Sequence, residues 1–346
     1  MRYCCSTQDG LLWHIYYRNQ GHNGKPVPTP DSTLEEPDES WLWDQLMRAL
    51  RIVIPIAAII LLTIYGGIGY LIASGVTGAE REDLEDSLAA HGVAFEDVDF
   101  MSRTGDVNLS GWYVVARNTS PTIIFVHGIG SQRTGDQMTE LAVEFHEHGF
   151  GFLMFDLRAH GLSGGDKTTG GYHERFDVLG AFDFLKMRGV DSGEIGVLGL
   201  SMGAGTSAMT AAAEPAITAL VLDSPYAVAS ELIAQETARK TPFPEWFVPL
   251  FIPMAKVWAD LLYDIDVDAM SPEKMVSELD YPIMVIYGTG DARIPADHGQ
   301  RVFDAAPDGS VLWAVEDSDH LDAYIEHPDE YAERVISYFV GRLSVD

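Results

Sequence analysis

The run Ile195 to Leu200 is wholly apolar apart from its glycines, and it ends at Gly199-Leu200-Ser201-Met202-Gly203, after which an alanine-rich stretch takes up helical spacing. A serine between two glycines at a strand-to-helix junction reads as a nucleophile elbow. Strand and helix pass so closely there that only small residues fit on either side, and the turn lifts the serine hydroxyl clear of the sheet at the positive end of the helix. The motif predicts a strand, a helix and the relation between them, so it constrains the fold more than any other part of the chain.

A serine hydroxyl is a weak nucleophile at neutral pH, so Ser201 needs a base and a carboxylate to orient that base. In a strand–elbow–helix architecture the chain order is serine, acid, histidine. The apolar stretch Tyr281 to Tyr287 predicts a buried strand, and the loop Gly288-Thr-Gly-Asp291-Ala-Arg-Ile-Pro295 follows it, which makes Asp291 the candidate acid. A further short strand, Val311 to Val315, runs into the polar loop Glu316-Asp-Ser-Asp-His320, which makes His320 the candidate base. His298 and His327 also follow Asp291 but fall in helical stretches, and Asp317, Asp319 and Asp322 compete with Asp291 as the orienting group. Donors for a developing oxyanion come from a glycine-rich loop and from the residue after the nucleophile. The strand Thr122 to Val126 leads into His127-Gly-Ile129-Gly130, so the candidate donors are the backbone N–H groups of Ile129 and Met202, with His127 organising the loop.

Around these motifs strands alternate with helices: Ile123 to Val126 then Gln137 to Glu147, Gly151 to Phe155 then Arg175 to Met187, Ile195 to Leu200 then Gly203 to Ala213, with one more strand at Ile217 to Leu222. An entry hairpin precedes them, Val98 to Ser102 and Leu109 to Val115. Such alternation predicts an α/β fold with a mainly parallel sheet covered by helices on both faces. The insertion at about 225–280 is too long for an ordinary connection and is expected to form a helical cap. Its aromatic residues Phe243, Trp246, Phe247, Phe251 and Trp258 are candidate walls of an apolar substrate pocket over Ser201; the other use of the same side chains is to pack the cap in place.

With these motifs assembled, the chain from about Val98 onward resembles the α/β-hydrolase superfamily, in particular its monoacylglycerol-lipase-like and serine-aminopeptidase-like branch. The turn Asp156-Leu-Arg158-Ala159-His160-Gly-Leu-Ser163 is similar to the D-x-R-G-H-G-x-S turn of that branch, with Ala159 where glycine is usual and Asp156, Arg158 and His160 read as bracing the loop. The resemblance implies a cofactor-free serine hydrolase with the α/β-hydrolase fold, acting on an acyl substrate, and leaves esterase, lipase, thioesterase and peptidase, an aminopeptidase in particular, open. Glu231, Glu236 and Glu245 are the carboxylates an aminopeptidase would use for its substrate amine. A hydrolase fold without activity, tethered as a binding domain, is the non-enzymatic alternative.

From Ile52 to Val76 there is no charged residue. As a helix this run would extend about 37 Å, enough to cross a hydrocarbon core of roughly 30 Å, so it predicts one transmembrane helix. The expected organisation is a flexible tail at 1–47, a transmembrane signal anchor at 48–79 and a catalytic domain at 80–346. Arg48 and Arg51 precede the run and Arg81 alone follows it, which favours the N-terminus inside and the catalytic domain outside the cytoplasm. Gly69 and Ala73 form a small-xxx-small pair of the kind that brings two helices together.

The formal net charge of −30 argues against nucleic acid and anionic lipid surfaces as partners. Cys4 and Cys5 are adjacent and lie in the tail, so no disulfide framework is expected in the catalytic domain. His146-Glu147-His148 lacks zincin spacing and Gly66-Gly-Ile-Gly69 falls inside the apolar run, so neither a metal site nor a dinucleotide fingerprint is expected.

Overall fold

The computed structural model describes residues 39–343 except 80, 85, 118 and 119; Cys4, Cys5 and most of the expected tail lie outside the described residues. Two compact units divide the chain, Met1–Leu61 and Leu62–Asp346. In the first, the described residues belong to helix α1, Glu39–Val76, whose side chains from Ile52 to Leu62 are largely exposed and apolar. From Ser40 to Val76 this helix is long and apolar enough to cross a membrane.

The second unit is built on one eight-stranded sheet in the order β1-β2-β4-β3-β5-β6-β7-β8. Strands β1 (Glu96–Met101) and β2 (Asn108–Val114) form the antiparallel entry hairpin. From β4 (Gly151–Phe155) across β3 (Thr122–Val126), β5 (Ile195–Leu200), β6 (Leu220–Asp223) and β7 (Met284–Gly288) to β8 (Val311–Val315) every pairing is parallel. Helices α2 (Met138–Glu147), α3 (Glu174–Met187), α4 (Met202–Ala213), α8 (Ala296–Ala305) and α10 (Pro328–Arg342) supply the two covering layers, with the short α9 (Ala323–Glu326) leading into α10.

The central strands read as unbroken apolar runs because both faces are covered, and alternate residues sort between two cores. Ile124 and Val126 join Ala204 and Ala208 of α4 and Val178 of α3 on one face. Ile123 and Phe125 join Phe145 of α2 and Phe339 of α10 on the other. Strand β6 starts at Leu220 rather than at Ile217, because the Ile217 N–H closes a turn onto the Glu214 carbonyl at 3.0 Å.

Between β6 and β7 lies the cap. It comprises α5 (Ala229–Lys240), a 3₁₀ turn (Glu245–Leu250), α6 (Ile252–Tyr263), a second short turn (Val267–Ala269) and α7 (Pro272–Val276). The last turns of α1, within the same compact unit, pack on this cap. Ile72 is buried with Val248, Phe251 and Ala255, and the Trp258 indole donates to the Gly66 carbonyl at 2.8 Å. A β-carbon on Gly69 would lie 2.5 Å from Met254 Cγ, so glycine is what lets α6 come this near.

Candidate active site

Ser201 sits at φ 55°, ψ −118°, a region that L-residues seldom occupy and that is kept only where surrounding structure enforces it. Here the enforcement is visible. The Ser201 N–H donates to the Asp223 carbonyl at 2.9 Å, tying the ends of β5 and β6 together. A β-carbon on Gly203 would fall 2.2 Å from the Val126 carbonyl oxygen, and one on Gly199 would fall 2.4 Å from the Gly203 carbonyl oxygen, so helix and strand pass at backbone contact. Although Ser201 occupies the N-cap position of α4, its side chain makes no capping bond. It turns to histidine instead.

His320 Nε2 lies 2.9 Å from Ser201 Oγ, and His320 Nδ1 lies 2.7 Å from Asp291 Oδ2. With a carboxylate accepting at Nδ1, the tautomer that fits carries its proton there and presents the Nε2 lone pair to the hydroxyl. The other oxygen of Asp291 accepts from the N–H groups of Arg293 and Ile294 at 2.8 and 2.7 Å, which fixes the carboxylate in plane. Of the competing residues, Asp319 and His298 are engaged elsewhere. Asp319 accepts the Ala292 and His320 N–H groups at 2.9 and 2.8 Å and so clips the two loops together. His298 takes the Ala227 N–H at 3.1 Å from within α8, where burial holds its pKa below the usual imidazole value. His327 stands at the start of α10 with its ring 6.3 Å from that of Trp313.

The His127-Gly-Ile-Gly130 loop reaches Ser201: a β-carbon on Gly128 would be 3.3 Å from Ser201 Cβ. His127 organises it, accepting the Leu157 N–H at Nε2 (3.0 Å) and donating from Nδ1 to the Gly128 carbonyl (2.7 Å). Complete burial pushes its pKa down to about 4, so the ring is neutral at physiological pH. His160 repeats the arrangement, accepting from the Gly130 N–H at 3.2 Å and donating to the Arg158 carbonyl at 2.8 Å. Buried pairs Arg133–Asp156 and Arg158–Asp177, both at 2.7 Å, hold the loops behind them. Ala159 adopts φ 61°, the left-handed conformation for which glycine is the ordinary choice. Among the described residues no hydrogen bond engages the backbone N–H of Ile129 or of Met202.

Asp223, which carries no motif, lies in the interior beside this site. Its carboxylate accepts from Tyr331 and Ser224 hydroxyls, both at 2.9 Å, and burial pushes its pKa up to about 6. The sequence signal was its position: it ends β6, next to the elbow on β5.

A cavity of about 140 Å³ opens at Ser201. Ile129 and Met202 line it on the sheet side, Leu232, Ile233, Ala255 and Ala259 on the cap side. The expected aromatic walls are not there. Phe243, Phe247 and Phe251 pack with Tyr65 and Ile68 of α1, Trp258 meets Tyr70 edge-on, and Trp246 is 80% exposed. Trp246 apart, their apolar surface joins cap to helix. Among the described residues no group of three or more His, Cys, Asp or Glu side chains is placed to hold a metal ion.

A family model described as "alpha/beta hydrolase fold" matches residues 121–250. YqkD of Bacillus subtilis, an uncharacterized protein, is 27% identical over 252 residues, covering 70% of this chain and 80% of its own. The lysophosphatidylserine lipase ABHD12 of Xenopus tropicalis is 26% identical over 215 residues, 58% of this chain and 51% of that protein. Among solved structures, the Pyrococcus furiosus esterase Pf2001 superposes with a TM-score of 0.63 at 24% identity, over 77% of this chain and all of its own. Sheet order, elbow and these likenesses agree: the chain has the α/β-hydrolase fold.

Proposed function

We propose that the protein is a serine esterase cleaving carboxylic esters of small to medium acyl groups. The observation that carries this reading is the continuous relay from Asp291 through His320 to Ser201, at 2.7 and 2.9 Å. His320 takes the Ser201 proton as Oγ attacks the ester carbonyl, and the tetrahedral oxyanion is received by the N–H groups of Ile129 and Met202. The imidazolium, stabilised by Asp291, gives its proton to the leaving alcohol. Water, deprotonated by the same ring, then attacks the acyl-enzyme, and the proton returns to Ser201 as the acid leaves. No cofactor enters these steps.

Esters are favoured over aminoacyl substrates because the cap carboxylates are unsuited to a free amine. Glu231 is bound by Arg301 at 2.7 Å, and Glu236, which lines the cavity, by Arg239 at 2.8 Å with Arg293 at 3.7 Å. Glu245 is exposed on the cap turn. A fluorophosphonate probe tests the reading, since only an activated serine labels efficiently. Labelling of the protein that is lost in Ser201→Ala and in His320→Ala is expected, together with turnover of p-nitrophenyl esters and little of aminoacyl-nitroanilides. An unlabelled, correctly folded protein would mark a binding domain.

We also propose that segment 48–79 anchors the chain as a single span, with the catalytic domain outside the cytoplasm. The support is the charge-free run and the Arg48/Arg51 bias before it. Protease added to intact cells or spheroplasts should then digest the catalytic domain. Protection of that domain would reverse the orientation.

A further inference from the structure

The cavity at Ser201 has a wall that does not come from the hydrolase sheet or from the cap. Ile72, Ala73, Val76 and Thr77, all from the end of the apolar helix α1 and the residue after it, line it directly. Ile72 and Ala73 are buried there, and Thr77 is pinned back to the helix by its hydroxyl, which donates to the Ala73 carbonyl at 2.9 Å. The wall is held in register. Trp258 is hydrogen-bonded to the Gly66 carbonyl, Gly69 stands against Met254, and a β-carbon on Gly75 would lie 2.7 Å from Thr241 Cγ2. Gly69 and Ala73, whose spacing suggested pairing between two transmembrane helices, thus serve different partners: Gly69 the cap, Ala73 the cavity.

Leu232, Ile233, Ala259 and Met270 also line the cavity, and the hydroxyls of Thr77, Thr168, Thr169 and Tyr226 in its lining already donate to the Ala73 carbonyl, to Glu174 and to the Gly170 carbonyl. Charged side chains in the lining are Glu236, Lys256 and Arg293. An apolar slot that begins at the nucleophile suits an unbranched acyl chain, and the length such a slot accepts is set by the side chains that bound it.

Resting on the esterase reading above, we infer that the last turn of the membrane-crossing helix forms the specificity-determining wall of the acyl site, with Ala73 and Val76 setting the acyl length. The anchor is then part of the substrate site, and the ester that fits is one whose acyl chain lies along residues 72–77.

The experiment uses the full chain in detergent micelles and a p-nitrophenyl ester series from acetate to laurate, with kcat/KM read for each member. In Ala73→Leu the added branch occupies the slot, and the ratio of long-chain to short-chain kcat/KM is expected to fall at least tenfold. In Val76→Ala, at a half-buried position, the slot lengthens and the optimum moves to a longer chain. Ser201 labelling by a small fluorophosphonate is measured in parallel on each protein. Opposite shifts in the two variants support the wall; a wild-type profile in Val76→Ala and in labelled Ala73→Leu overturns it. If Ala73→Leu does not fold, the Val76→Ala profile alone decides. Absence of labelling in the unmodified protein refutes the esterase reading itself and is distinguishable from both.

Discussion

The Tyr331 hydroxyl in the last helix donates a 2.9 Å hydrogen bond to the buried carboxylate of Asp223 at the end of β6. It bridges the C-terminal segment to the strand beside Ser201, and it stabilises a group whose ionisation the interior resists.

The pKa of Asp223, pushed up to about 6, gives a signed prediction. An unfolded aspartate titrates near 3.9, so between about pH 4 and 6 the native state holds a proton that the unfolded state has released. This group therefore contributes stability that is full below pH 4 and lost as the pH rises through 6. Asp223→Asn keeps an acceptor for Tyr331 and removes the ionisation. Thermal or denaturant unfolding should show the variant more stable by about 3 kcal/mol at pH 8 and equal to wild type near pH 4. Curves that run parallel across this range would contradict the assignment.

Ser201→Ala and His320→Ala should each lower kcat at least about 10³-fold with the fold intact by circular dichroism. Asp291→Asn should lose about 10³- to 10⁴-fold, because an amide at that position supports the wrong tautomer. Asp319→Asn is the control: its carboxylate meets backbone N–H groups of Ala292 and His320, so a loss within about tenfold is expected. If the Asp319 variant falls as far as the Asp291 variant, the two carboxylates share the role.

Gly203→Ala should be among the most damaging small changes in the chain. Its methyl would meet two backbone oxygens, of Val126 and His127, at 2.2 and 2.6 Å, and neither can move without parting helix from strand. A cost above about 3 kcal/mol, or no soluble protein, is expected. Gly341→Ala, in the last helix with nothing within 4 Å, should instead stabilise by up to about 1 kcal/mol on helix propensity alone. Chemical denaturation of both variants tests the contrast.

Arg81 reaches the carbonyls of His160, Gly161, Ser163 and Gly165 with two guanidinium nitrogens, at 3.2, 2.8, 2.5 and 2.7 Å. A planar fork of donors makes that set of bonds and a lysine cannot. Arg81→Ala should cost about 1–3 kcal/mol, and Arg81→Lys should recover little of it. Full recovery by lysine would show that charge rather than geometry matters.

What could be read in advance follows the range of the interactions. The elbow, the loop after β7 and the loop after β8 are local patterns, each recognisable within about ten residues of sequence, and the topology brings His320 within hydrogen-bond reach of both Ser201 and Asp291. The pocket wall was not legible, because it depends on pairings such as Trp258 with Gly66, 192 positions apart. Apolar composition told that Phe243, Phe247 and Phe251 would be covered; it could not tell whether substrate or α1 would cover them. Asp223 carries no local signal for a related reason: an acid at a strand end looks like any loop carboxylate until burial removes its water.

The packing of Gly66, Gly69, Ile72 and Ala73 divides one helix between two masters. A tether that merely holds an enzyme at a bilayer can be exchanged for any other hydrophobic stretch of sufficient length, and its sequence drifts freely so long as it stays greasy. Here the final turns present Gly66, Gly69 and Ile72 to the cap and Ala73 to the cavity, while Gly67 and Leu71 stay exposed. Among descendants of this chain, substitutions along that helix should accordingly fall on one side only, and a foreign apolar segment spliced on at Thr77 would leave the cavity at Ser201 ajar.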